Sequence, residues 1–169
     1  HGDPLTALEQ VNQGLLACSD DARLWDKRGE ALLDLGRYEE ALASYDKALS
    51  MRPDDVGALS NRGNALQALH RHREALQSYA RAIELKPTDV QAHWNEALAR
   101  LAIGDFERGW EQYEWRWHNL DPQLIQRYRE RPVWLGREDI AGKTLLVYPE
   151  QGFGDAIQFV RYVPLVHAR

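Results

Sequence analysis

The chain has 169 residues, a formal net charge of −5 and a single cysteine, Cys18. An acidic chain whose one basic cluster is the short stretch Arg127, Arg129 and Arg131 is not expected to bind nucleic acid. One cysteine excludes an intramolecular disulfide and a cysteine metal cluster, and no apolar run approaches the roughly 18–20 residues of a membrane span, so the expected setting is cytoplasmic, with no membrane partner.

From about Asp20 to Pro122 a pattern recurs every 34 positions. Its columns are Gly29, Gly63 and Ala97; Leu32, Leu66 and Arg100; Ala41, Ala75 and Gly109; and Tyr45, Tyr79 and Tyr113. The units close on Pro53, Pro87 and, one place late, Pro122. A fixed period of this length means stacked repeats, each a supersecondary unit that buries its apolar face on its neighbour.

The chain opens in a second-helix position. Counting back one period from Gly36, Tyr38, Ala41 and Tyr45 reaches Gly2, Pro4, Ala7 and Val11, so residues 1–19 read as the second helix, Leu5 to Ala17, of an incomplete repeat. This looks like a fragment cut inside a repeat, with Leu8, Val11 and Leu15 on a flank that lacks its partner. Residues 20–55 form the first full unit, with one helix from Ala22 to Leu35 and a second from Tyr38 to Ser50. Trp25, Leu32, Leu35, Leu42, Tyr45 and Leu49 supply its apolar stripe at helical spacing. The small residues at 29, 41 and 48 fall where helices approach closely. Gly36 and Gly104 are placed to end a first helix in a left-handed cap, and Pro53 and Pro87 to stop a second. Residues 56–89 repeat the unit, and 90–122 repeat it with divergence.

Trp25, Gly29, Leu32, Gly36, Tyr38, Ala41, Tyr45, Ala48 and Pro53 resemble the tetratricopeptide repeat signature. The resemblance implies an all-α fold, a right-handed superhelix of helical hairpins, whose first helices line a concave surface that takes a peptide or protein. On that surface, Asn61 and Asn95 stand one period apart, Asn64 lies three residues beyond the first, Lys27 holds the equivalent place in the first unit, and Trp94 adjoins Asn95. A carboxamide donates and accepts, so a column of them can pair with the backbone of an extended peptide, similar to the asparagine ladder in the repeats of O-linked N-acetylglucosamine transferase. The alternative is that asparagine is a tolerated polar residue on a wet helix face.

Arg28, Arg62 and Glu96 form a further column, whose charges must snorkel or pair, and Glu96 and Arg100 are spaced for an intrahelical ion pair. His70, His72 and His93 lack a convergent third ligand, so no metal is expected, and no cofactor. Phe106, Trp110, Tyr113 and Trp117 follow at spacings of four, three and four, an aromatic stripe along one helix that needs a bulky cover; Trp134 is the natural candidate.

Residues 123–143 read as a linker. In 144–169 the pattern changes to a short β-strand, Thr144 to Tyr148, a glycine loop from Glu150 to Asp155, and a helix from Ala156 to His167. That is the start of a truncated α/β, Rossmann-like domain. With Pro132, Trp134, Gly136 and Gly142-Lys143-Thr144 it resembles bacterial proteins in which tetratricopeptide repeats precede a glycosyltransferase-like domain of the two-Rossmann-domain, heptosyltransferase-related type. The resemblance implies that Asp155 is a candidate general base and that Gly152 and Gly154 give backbone room for a substrate. An ordinary helix N-cap is the competing role for Asp155. Three functions stay open: a peptide-binding module, a glycosyltransferase segment inactive by itself, and an oligomerisation arm that dimerises through the C-terminal segment or the first helix.

Overall fold

A computed structural model describes residues 3–119 and 141–143. Residues 3–119 lie in one compact unit of seven α-helices followed by a 3-10 helix, Glu114–Asn119. The helices are α1 (Pro4–Ala17), α2 (Ala22–Asp34), α3 (Tyr38–Met51), α4 (Val56–Ala68), α5 (His72–Leu85), α6 (Val90–Ala102) and α7 (Phe106–Tyr113). Among the described residues there is no strand, and no helix is long and apolar enough to cross a membrane. The expected strand at 144–148, the helix from Ala156 and Trp134 lie outside the described residues.

Each first helix starts on an aspartate. Asp21, Asp55 and Asp89, one period apart, accept backbone N–H bonds from Arg23 (2.9 Å), Ala58 (3.2 Å) and Ala92 (3.0 Å). Such a cap contributes about 0.5–2 kcal/mol. Each first helix ends in the same turn. Arg37, Arg71 and Asp105 donate their N–H groups back to Leu32, Leu66 and Arg100, at 2.9, 2.8 and 3.0 Å. This closure needs a left-handed residue just before the donor, and Gly36 (φ 72°) and Gly104 (φ 81°) supply it. His70 holds the same place at φ 58° with a side chain that disfavours it.

The turn sends α3 back along α2, α5 along α4 and α7 along α6, while α1 packs on α2 as α3 packs on α4. The hairpin interior is set by a ring over a glycine. A Cβ on Gly29 would stand 2.5 Å from Tyr45 Cε1, and Gly63 faces Tyr79 in the same way. Tyr45, Tyr79, Leu32 and Leu66 are fully buried, with Ala41, Ala48, Ala75 and Ala82 filling the gaps between helices.

Guanidinium groups tie the hairpins together. Arg28 donates to Asn12 of α1 (3.1 Å) and to Ser44 of α3 (2.6 Å). One period on, Arg62 donates to Asp46 of α3 and to Ser78 of α5, both at 2.7 Å. The serines pass the interaction to the carbonyls of Glu40 and Glu74. In the third unit Glu96 replaces the arginine and pairs with Arg100 at 2.6 Å; Arg100 also holds Asp105 at 2.8 Å. Glu96 is only 4% exposed, so the intrahelical pair its spacing implied is largely buried.

Two expectations need correction. Leu8 does not sit on a bare flank: it is buried in the core beside Ala31 and Leu32, because α1 closes on α2, and the exposed leucines of α1 are Leu5 and Leu16. The aromatic stripe does not run along one helix either. α7 stops at Tyr113 and tightens into the 3-10 helix, where Arg116 stands over the rings of Tyr113 (4.9 Å) and Trp117 (4.8 Å). Phe106 and Trp110 remain exposed.

Two substitutions test this packing by urea denaturation. Gly29→Ala drives a methyl into the Tyr45 ring and is expected to cost about 1–3 kcal/mol. His70→Gly relieves the left-handed strain and is expected to raise stability by about 1 kcal/mol.

Candidate functional site

α2 touches α4 and α4 touches α6, whereas α3 and α5 approach one another less. The first helices therefore stand on the inner side of the curve. Positions one period apart form rows across this face: Asp26, Ser60 and Trp94; Lys27, Asn61 and Asn95; Glu30, Asn64 and Leu98.

The second and third units join through carboxamides. Asn95 donates to Asn64 Oδ1 at 2.7 Å and accepts from Gln91 at 2.9 Å. Asn64 Oδ1 also accepts from the Tyr79 hydroxyl at 2.8 Å, and Gln67 accepts from it at 3.0 Å. Asn95 is 8% exposed, so most of its hydrogen-bonding capacity is spent inside the fold, while Asn61 is half-buried. Trp94 is half-buried against Tyr113, ring centroids 4.7 Å apart. Behind it, His93 is buried, stacks flat on Trp115 at 3.7 Å and bonds the Pro87 carbonyl (2.9 Å) and Gln112 (3.0 Å), which gives it a packing role.

The first unit and its junction with α4 are less well satisfied. Lys27 spends its ammonium on Glu30 at 2.6 Å. Asp26 is half-buried with one carboxylate oxygen unpaired, and the Ser60 hydroxyl and Tyr45 hydroxyl are likewise buried without a partner. Burial raises the Asp26 carboxyl above its ordinary range, the charges of Glu30 and Asp55 push it further, and Lys27 and a hydrogen bond from Asn61 oppose them. Burial also pushes the Tyr45 phenol up, with Asp26, Glu30 and Asp34 adding to the shift.

Of the residues singled out in the sequence, Lys27, Asn61, Asn64, Trp94 and Asn95 all fall on these neighbouring helices. Asp26 and Ser60 escaped notice, although they share a row with Trp94, and Tyr45 was read only for its ring in the apolar stripe. Gly152, Gly154 and Asp155 lie outside the described residues. Among the described residues, no group of three or more His, Cys, Asp or Glu side chains could hold a metal.

Residues 29–69 match a family model described as TPR repeat, and residues 56–89 match the tetratricopeptide repeat model. The chain carries tetratricopeptide repeats. It is similar to Protein FlbA of Caulobacter vibrioides, with 30% identity over 165 residues; the match covers 96% of this chain but only 22% of FlbA, so the chain spans about a fifth of that relative. Among solved structures, MamA 41-end from Desulfovibrio magneticus RS-1 is 27% identical with TM-score 0.66, covering 74% of this chain and 70% of that one. A crystal structure of MamA has the same fold at 17% identity, TM-score 0.64, covering 74% and 72%. The second TPR domain of human RPAP3, in complex with the HSP70 peptide SGPTIEEVD, is 27% identical with TM-score 0.53, covering 55% and 78%.

The electrostatics of Asp26 set a stability test. A carboxyl whose folded value is raised holds its proton in the folded state over a range where the unfolded chain has lost it. Stability therefore falls as pH rises from the ordinary carboxylate value through the folded one, and the ionised group costs stability at neutral pH. Asp26→Asn is expected to raise the neutral-pH melting temperature and to flatten that part of the pH profile.

Proposed function

We propose that the chain is a protein-interaction module whose α2–α4–α6 face binds an extended peptide or protein segment. The observation that carries this reading is the row structure of the face: polar side chains recur at one period on adjacent helices, and in the row of Asp26 and Ser60 each keeps an oxygen without a partner. Asn61 pairs with peptide backbone, Trp94 offers an apolar wall, and Asn64 and Asn95 hold the face in shape while presenting their remaining groups. The RPAP3 domain, which shares the fold, is bound to a peptide, and that supports the reading.

The experiment is a calorimetric titration with a peptide selected on an array. Asn61→Ala is expected to weaken binding about tenfold, the worth of one or two desolvated hydrogen bonds, and to lower the melting temperature slightly through its lost bond to Asp26, circular dichroism confirming that the variant is folded. Asn95→Ala is expected to lower the melting temperature as well, since it removes the buried bond that joins α6 to Asn64 of α4. Unchanged affinity in Asn61→Ala for every captured peptide overturns the groove reading.

A second reading concerns the tail. The FlbA match extends past the repeats across almost the whole chain, which supports a tail that travels with the repeats in a longer protein. In such a bacterial, cytoplasmic protein Asp155 would serve as general base and Gly152 and Gly154 as room for a sugar acceptor. The module then becomes the acceptor-binding arm of a glycosyltransferase. Turnover that survives Asp155→Asn in the longer protein eliminates this role.

A further inference from the structure

Asp26, Glu30 and Asp34 follow one another at four-residue spacing on α2 and so share a stripe. Against these three carboxylates stands one ammonium, Lys27, already bonded to Glu30. The equivalent positions are Ser60, Asn64 and Ala68 on α4, and Trp94, Leu98 and Ala102 on α6, all neutral. Negative charge is therefore concentrated at the α2 end of the face.

An independent observation lies beneath the stripe. Tyr45 is fully buried, yet its hydroxyl has no partner. Its counterpart Tyr79 points its hydroxyl at Asn64 and Gln67, and both bond it. In the first unit those two places hold Glu30 and Leu33, so the Tyr45 hydroxyl is aimed at the acidic stripe, whose three carboxylates act on it. One carboxylate oxygen of Asp26 and the Ser60 hydroxyl, on the facing helix, are unmet as well. Acceptors outnumber donors here, and the excess charge is negative. A positively charged group with several N–H donors answers the excess negative charge from the open side of the stripe.

Resting on the groove reading above, we propose that the α2 end of the face receives the cationic head of a lysine or arginine side chain of the bound peptide, with Asp26 and Glu30 as its ion-pair partners. Ser60 closes the site from α4, and Tyr45 forms its floor. Lys27 is the internal competitor, since it occupies Glu30 when no ligand is bound. The peptide in the RPAP3 complex, SGPTIEEVD, is acidic, and the α2 end of this face repels such a ligand.

The test uses the whole chain and an array of short acetylated, amidated peptides, which offer no terminal charge. Captured peptides are expected to carry lysine or arginine at one fixed position. For the best lysine peptide, Asp26→Asn is expected to weaken binding about tenfold, and so is replacement of the peptide's lysine by norleucine, the two losses not adding. Lys27→Met is expected to tighten binding several-fold, an effect that a merely structural role for Asp26 does not produce. SGPTIEEVD is expected to bind more weakly than any captured basic peptide. Circular dichroism confirms that each variant is folded, and Glu30→Gln repeats the test at the second carboxylate. Captured peptides that depend on Asn61 but carry no basic residue, or that ignore both Asp26→Asn and Glu30→Gln, overturn this inference and leave the groove intact. An array with no peptide sensitive to Asn61→Ala overturns the groove and this inference together.

Discussion

A tyrosine ring packed against a glycine sets the distance between the helices of each of the first two hairpins. Gly29 under Tyr45 and Gly63 under Tyr79 allow an approach that any Cβ would prevent. From that distance the rest follows. The alanines at 41, 48, 75 and 82 become sufficient filling, the arginines at 28 and 62 reach serines across the hairpin, and the first helices come close enough for one face to act as a continuous surface. The third hairpin uses another solution. Gly109 accommodates Leu101 instead, and Tyr113 leans on Trp94 rather than entering the core. Its divergence is therefore a change in how the hairpin is filled, and the salt bridge from Arg100 to Glu96 belongs to that change.

The same substitutions that preserve the fold decide where polar capacity is spent. Asn64 and Gln67 absorb the Tyr79 hydroxyl, and Asn95 locks onto Asn64, so α4, α5 and α6 are joined through satisfied side chains. In the first unit Glu30 turns to Lys27 and Leu33 offers nothing, so the Tyr45 hydroxyl is left over. A buried hydroxyl and a carboxylate oxygen without partners lower stability. Asp26 lies on the face and Tyr45 beneath it on α3, and both fall at the end of the face where negative charge is in excess.

Much of the fold was legible because its determinants are strictly periodic. The 34-residue columns locate the helices of the first full hairpin to within one residue, and Gly36 and Gly104 carry the positive φ that their place requires. The aspartate column at 21, 55 and 89 was equally visible and equally periodic, but it is a capping signal that a search for apolar and small residues passes over. Other features have no one-dimensional signature. The break after Tyr113 depends on how Arg116 settles on two rings, and the burial of Leu8 depends on the angle at which α1 meets α2. The state of Asp26, Ser60 and Tyr45 is legible only by comparing what each row contacts, since each residue type is ordinary in isolation.

The aromatic residues are distributed unevenly, and this makes the molecule its own reporter. Of the tryptophans in the described residues, Trp25 stands in the first hairpin, whereas Trp94, Trp110, Trp115 and Trp117 stand in the third or the turn that follows it. Indole emission is thus weighted toward one end of the array, while helical ellipticity samples every hairpin equally. In a linear stack, where each unit meets only its neighbours, the gap between those two signals during melting measures how strongly one hairpin communicates its order to the next.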